Sequence, residues 1–217
     1  CPTSKIAKPD ILGAIYRIQK KSSQPPTDPR GLKLDWNQPQ VSWLSDQRPA
    51  VATRAIDALA NESNIDALRR ASAHISAVWS LHRISSPHAR DAVREFLNSE
   101  KSDVRAAAIH SVALWRDRDA LDLLMGLLSD DDPQIVRLAA MALGRIGEIE
   151  AVAPLLDSWS TEMDPFLRHA TIYALFEIGD VRSLPTRYLL GIQVRLMRVV
   201  DRRNVAPGVY PVIQLSN

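Results

Sequence analysis

Five histidines, His74, His82, His88, His110 and His169, are the side chains best suited to shuttling protons or holding a transition metal. No two of them lie four residues apart, the spacing that aims two imidazoles at one ion from a single helix face. Surface or half-buried structural histidines account for them better. His82 and His110 could line one groove, which would matter only with an acid beside them. The run Asp130-Asp131-Asp132 supplies the oxygens calcium prefers. It lacks the mid-loop glycine and closing glutamate of an EF-hand, so it reads as a solvated turn with a helix N-cap. Ser80 sits near His82 but in no Gly-x-Ser-x-Gly elbow, and Cys1 has no local activating signature. No catalytic, cofactor-binding or metal-binding residue is expected.

Arg105, Arg137, Arg145 and Arg168 could grip phosphates from a concave face, but Glu148, Glu150 and Glu177 alternate with them and favour a solvated, mixed-charge face. With His110 and His169 these arginines form the expected partner-contact surface. Trp79, Trp115 and Trp159 are read as filling core or inter-repeat space, with a partner-binding anchor as the sharper alternative. A more basic cluster lies late in the chain, where Arg182, Arg187, Arg195, Arg198, Arg202 and Arg203 face only Asp180 and Asp201. Tyr188 and Tyr210 are the rings that could stack on bases there.

Bulk composition narrows this little. The 217 residues carry 27 basic and 25 acidic side chains, a net +2, which argues against a dedicated nucleic-acid binder and names no partner. One cysteine excludes an internal disulfide, a multi-cysteine zinc site and a haem-attaching CxxCH within these residues. No apolar run reaches the roughly 18 residues needed to cross a bilayer. The first residue is cysteine rather than methionine, so a processed product or a piece of a longer chain is expected, with a lipid-bearing N-terminal cysteine as the lesser alternative.

What must position these side chains is a repeat. Val104-Arg105, Val136-Arg137 and Arg168-His169 recur about 32 residues apart, the third arginine one place early, and Leu114, Ile146 and Ile178 follow the same period. A period of this length marks stacked helix pairs, each unable to bury its apolar face alone. The expected fold is therefore all-α, a solenoid of about four to five helix pairs over residues 39–180. Asp132-Pro133 and Asp164-Pro165 predict helix starts, and Gly147 and Gly179 predict their ends. The second helices align through Ala107, Ala139 and Thr171 and through His110, Ala142 and Ala174, and small residues recur there where helices must approach closely. Earlier, Val41, Trp43 and Leu44 predict a short helix or turn before a helix spanning Val51, Ile56 and Leu59. A shorter pair follows over Asn64 to Arg70 and Ser72 to Ile84. Residues 1–38 are proline-rich and irregular, with one strand expected over Ile11 to Ile18 and a linker over Lys20 to Leu34. Residues 181–217 are a basic, irregular tail in which Pro207 and Pro211 interrupt the register.

The stretches Asp103 to Trp115, Asp131 to Gly147 and Asp164 to Gly179 resemble the second helices of HEAT repeats, with Asp before Val-Arg, then small residues and an Ala-Leu pair. The resemblance covers roughly Gln40 to Asp180 and implies an α-α superhelix that presents a surface to a protein partner. It also implies an Asp–Arg ladder between units, for which Asp131 and Arg137 fit the spacing while Ser99 and Met163, in the flanking units, are not acidic. A second resemblance rests on Cys1 to Ile18, the Asp28-Pro29-Arg30-Gly31-Leu32 run and His110 to Asp117. These look like the bacterial, planctomycete-type putative membrane-bound dehydrogenases, which join a β-propeller, a HEAT-like region and a cytochrome c domain. That implies a helical spacer cut from a periplasmic or cell-envelope protein, with residues 1–18 the tail of the propeller. It assigns no catalytic residue here. Two other HEAT-like classes remain as alternatives: nucleic-acid-binding or DNA-repair proteins, and phycobilin-lyase-like accessory subunits.

Overall fold

The structure is a computed structural model that describes residues 27–71, 74–158 and 163–179. The expected strand at Ile11 to Ile18, the tail 181–217 and Trp159 lie outside the described residues. Within them all regular structure is helical: α1 (Pro49–Ala58), α2 (Ile65–Arg70), α3 (Ile75–His82), α4 (Pro87–Glu95), α5 (Ser102–Trp115), α6 (Leu121–Gly126), α7 (Pro133–Ile146), α8 (Val152–Asp157) and α9 (Pro165–Ile178). Four pairs, α2/α3 to α8/α9, follow one another, and a 3₁₀ turn at Val41–Ser45 packs on α1 as a fifth.

The predicted punctuation forms. Asp132 accepts a hydrogen bond from the Gln134 N–H at 2.9 Å, and Asp164 accepts from the Phe166 N–H at 2.8 Å. Each satisfies a donor that a helix start leaves open, with proline at the first helical position where it needs no N–H. Gly147 and Gly179 close the same helices in the left-handed region, at φ 83° and 78°.

The second helices of successive units, α1, α3, α5, α7 and α9, stack in order, and the shorter first helices pack behind them. One continuous core runs along the stack through Leu59, Leu81, Val93, Ile109, Val112, Leu124, Leu143 and Leu155, so each unit is buried by its neighbours. The tightest crossing is α7 on α9. A Cβ built on Gly144 would fall 2.5 Å from Ala174 Cα and 2.8 Å from its Cβ. Only glycine allows the backbones to approach this closely.

The 32-residue alignment needs one correction. Pro133 lies 31 residues beyond Ser102, and the ends Trp115 and Ile146 are also 31 apart, whereas α7 and α9 are 32 apart. The additional residue falls between Asp157 and Pro165, because α6 and α8 keep the 31-residue offset. Trp115, not Leu114, is therefore the counterpart of Ile146, and Ser111, not His110, that of buried Ala142. The helix α5 hides this slip: it starts after Lys101 without a side-chain cap and ends at Arg116, held at φ 52° where the later units have glycine.

The ladder forms with different members. Arg105 Nη2 reaches Asp130 of the next unit at 3.2 Å, and its Nη1 donates to the Ser99 and Glu100 carbonyls at 2.8 and 3.2 Å. Asp131 is exposed. A second tie between units joins Arg94 of α4 to the buried Asp117 at 2.7 Å, with Asp91 and Asp119 also against its guanidinium.

Residues from Thr27 onward, a linker by composition, instead fold against α1. The Asp28 carboxylate accepts the N–H groups of Leu32 and Lys33, and Trp36 Nε1 donates to the Gly31 carbonyl at 2.7 Å. Gly31, at φ 66°, abuts Val51, Trp36 stands edge-on to Trp43 at 4.9 Å, and Arg54 lies 4.0 Å over the Trp36 ring. Arg48 binds Asp46 through two nitrogens, and this fork holds the Asp46 carboxyl down at about 2.

Candidate functional site

Stacking leaves each second helix one free side, opposite the first helices, and the side chains there are unusual. Among the described residues seven large apolar side chains stand exposed, and five lie on second helices: Ile75 of α3, Leu114 of α5, Met141 of α7, and Phe166 and Tyr173 of α9. Leu114, Met141, Phe166 and Tyr173 are 46%, 43%, 78% and 48% exposed. Single exposed apolar residues need no explanation, but recurrence on one side of three consecutive stacked helices does. Helix phase puts them there. In α5 the exposed positions include His110 and Leu114, in α7 Met141 and Arg145, and in α9 Phe166, His169 and Tyr173. The three- and four-residue steps are those of one helix face.

These helices carry charge of both signs. α5, α7 and α9 carry Arg105, Arg137, Arg145 and Arg168 against Asp103 and Glu177. The elements behind α7 and α9 are acidic, with Asp119, Asp122, Glu148, Glu150 and Asp157 against Arg118 alone between residues 118 and 157, apart from α7 and the Asp130-Asp131-Asp132 turn, which adds acid, whereas α4 behind α5 balances Arg90 and Arg94 against Asp91 and Glu95. Among the described residues neither Arg137 nor Arg145 has an ion-pair partner.

The six residues expected to form a contact surface divide by role. Arg105 is half-buried and serves the scaffold through its ties to Ser99, Glu100 and Asp130. Arg168 donates to the Met163 carbonyl at 3.1 Å in an analogous turn. His110 is exposed on α5, edge-on to Trp79 at 5.8 Å, and His169 lies against Tyr173 at 6.4 Å. On α7 Arg137 is half-buried and Arg145 is exposed. Leu114, Met141, Phe166 and Tyr173 escaped sequence reasoning, although helical phase measured from the Gly147 and Gly179 caps would have found the last three.

His82 and His110 both stand against the Trp79 ring. His82 stacks on Trp115 at 4.8 Å, its Nδ1 is 2.8 Å from Ser111 Oγ, and Trp79 stands edge-on to both imidazoles. Arg90 covers Trp115 at 5.5 Å. Burial pushes the His82 imidazole below its usual range, with the charges of Arg83 and His110 adding to the effect, so the ring is neutral at pH 7. A Ser–His pair does not make a nucleophile here. Ser111 is wholly buried in the middle of α5, and the imidazole nitrogen that an acid would orient is the one spent on the serine. Trp79, Trp115 and His82 thus lock α3 to α5. Among the described residues no group of three or more His, Cys, Asp or Glu could hold a metal ion. A shallow cleft of about 680 Å³ lies between the turns at Leu97–Arg105 and Leu127–Asp132, and the Arg105–Asp130 tie runs through it.

No helix of the described residues is long and apolar enough to cross a membrane. No curated protein matches the chain. Human deoxyhypusine hydroxylase, solved in complex with glycerol, is similar over 63% of this chain and 60% of its own, at 18% identity and a TM-score of 0.49. An engineered protein is similar over 63% of this chain and 76% of its own, at 20% identity and a TM-score of 0.39. Neither likeness is close enough to carry an argument about activity. A family model described as HEAT repeats matches residues 65–140 and 97–176, which together span just over half of the sequence. Those are the residues that form the stacked pairs α2 to α9, and the chain belongs to the HEAT-repeat family.

Proposed function

We propose that this chain is a non-catalytic docking scaffold that holds a partner protein, or a neighbouring domain of a longer polypeptide, on the free side of α5, α7 and α9. The observation that carries it is the run of exposed Leu114, Met141, Phe166 and Tyr173 on three adjoining helices. A tightly tied stack of this kind keeps such a face in a fixed geometry, which cuts the ordering cost of association. The sequence resemblance adds a setting: a helical spacer between the propeller and cytochrome c domains of a planctomycete-type dehydrogenase-like protein in the cell envelope.

Photo-crosslinking in the native cell tests the face. A crosslinking residue in place of Met141 is expected to capture a partner that the same residue in place of Asp122, on α6, does not. Equal capture from both positions, or none from Met141, overturns the docking reading. The setting is tested separately by reading the coding DNA on either side for a propeller and a CxxCH motif, and their absence would remove it.

A further inference from the structure

We infer that the flank of α9 turned away from α7 is a docking site for the chain's own residues 188–200, a segment outside the described residues. This goes beyond the docking reading, because Leu114 and Met141 lie on other helices. Three observations carry it. The first is an apolar flank at the end of the row. Ala174 faces α7, since it is the residue that Gly144 abuts. Ile172 and Phe176, two residues to either side of it, sit about 200° round the helix and so turn away from α7. Both are half-buried, and neither belongs to the continuous core. Exposed Phe166 and Tyr173 adjoin them, so that Phe166, His169, Tyr173 and Phe176 follow steps of three, four and three along one face of the last described helix.

The second is a matching pattern beyond Gly179. Leu189, Ile192, Leu196 and Val199 repeat the same steps of three, four and three, ahead of Pro207 and Pro211. Two stripes of this spacing can pack along each other as paired helices do, and the 13 residues 188–200 match the 14 of α9 in length. Only residues 180–187 separate the two stretches. So short a tether holds the segment at an effective concentration on the order of millimolar, which a free partner would have to exceed. The third observation is charge. Residues 102–179 carry about twice as many acidic as basic side chains, and in the last unit Glu148, Glu150, Asp157, Glu162, Asp164 and Glu177 oppose Arg168 alone. Residues 182–203 carry six arginines and one aspartate. The end of the stack and the segment that follows it are therefore of opposite sign, which draws them together.

Crosslinking within the full chain tests it. A photo-reactive residue in place of Phe176 is expected to join peptides from residues 188–200 of the same molecule, and one in place of Asp122, on α6, to leave them untouched. Mixing isotopically light and heavy protein identifies the donor of the segment: crosslinks that join the two labels overturn the inference in favour of a second copy of the chain. Hydrogen exchange gives an independent readout. In Ile192→Asp/Leu196→Asp the amides of α9 should exchange at least about tenfold faster than in the parent, because two apolar side chains no longer cover the flank, while those of α5 keep their rates. Both substitutions lie outside the matched repeats, and α5 reports that the stack remains folded. Unchanged exchange in α9, or crosslinks from position 176 that avoid residues 188–200, overturns the inference. Equal acceleration in α5 and α9 overturns it as well, since the segment would then support the whole row rather than dock on its last flank. None of these results bears on the Met141 crosslink, so the docking reading stands or falls separately.

Discussion

Replacing Gly144 by alanine sets two effects of known sign against each other. Alanine restricts the unfolded chain and favours helix, a gain of about 0.5–1 kcal/mol at an ordinary helical site. At Gly144 the new methyl would sit 2.5 Å from the Cα of Ala174 and 3.2 Å from its carbonyl oxygen, backbone atoms that cannot rotate aside. The helices α7 and α9 would have to separate, and overpacking of this kind costs typically about 1–3 kcal/mol, with the upper end apt for backbone contact. The net expectation for Gly144→Ala is a loss of about 1–2 kcal/mol. Gly126→Ala supplies the control: it is also helical, at the end of α6, and has nothing within 4 Å of its built Cβ, so it should show the gain alone. Urea denaturation followed by circular dichroism reads both variants. The midpoint should fall for the first and rise for the second, with the slope unchanged if the stack unfolds as a unit. If Gly144→Ala stabilises as much as Gly126→Ala, the close crossing is wrong, and with it the claim that backbone contact sets the α7–α9 geometry.

Three further outcomes follow from the same structure. Arg116→Gly should stabilise by about 1 kcal/mol, because it relieves a left-handed backbone at φ 52° that glycine adopts freely, and thermal melting checks it. Arg105→Met keeps the aliphatic stem but leaves the Ser99 and Glu100 carbonyls and Asp130 without their donor, and should cost about 1–3 kcal/mol by the same assay; an unchanged midpoint would show that the tie does not hold the units together. Acid should loosen the segment before α1 as Asp46 loses its charge and with it the fork to Arg48. Asp46 is depressed from 3.8 to about 2 in the folded chain, so its contribution is full above about pH 4 and is lost as pH falls through about 2. Tryptophan emission tracked over that window should shift in the parent chain and shift less in Asp46→Asn.

Local chemistry decided what could be read in advance. The starts and ends of α7 and α9 were legible because Asp-Pro and Gly act within a few residues and need no tertiary information. The helix α5 has neither signal, so matching arginine to arginine aligned Arg105 with Arg137 and displaced the unit by one residue. That single step decides which side chains face water: it exposes His110 and Leu114, where a 32-residue period predicts a close approach and a core position. The ladder was anticipated as a type of contact, yet its acid is Asp130 and its arginine belongs to the preceding unit. Exposed Met141, Phe166 and Tyr173 were illegible for a different reason, since an apolar residue in an amphipathic helix is assigned inward unless its phase is measured. The aromatic packing before α1 was hidden by composition, because Pro, Gly and Asp serve a tight fold as readily as a loose tether.

The two indoles before α1, one of them under the Arg54 guanidinium of that helix, have a consequence for how the first described helix of the row is covered. A stack of repeats whose leading helix lay bare would carry, at that end, the same sort of flank that each unit offers the next, and a second rod could continue it. Here Gly31 lies against Val51 of α1, and the Trp36 ring lies under Arg54 of the same helix. Among the described residues the first helix of the row is thus already covered by the segment that precedes it, rather than left bare.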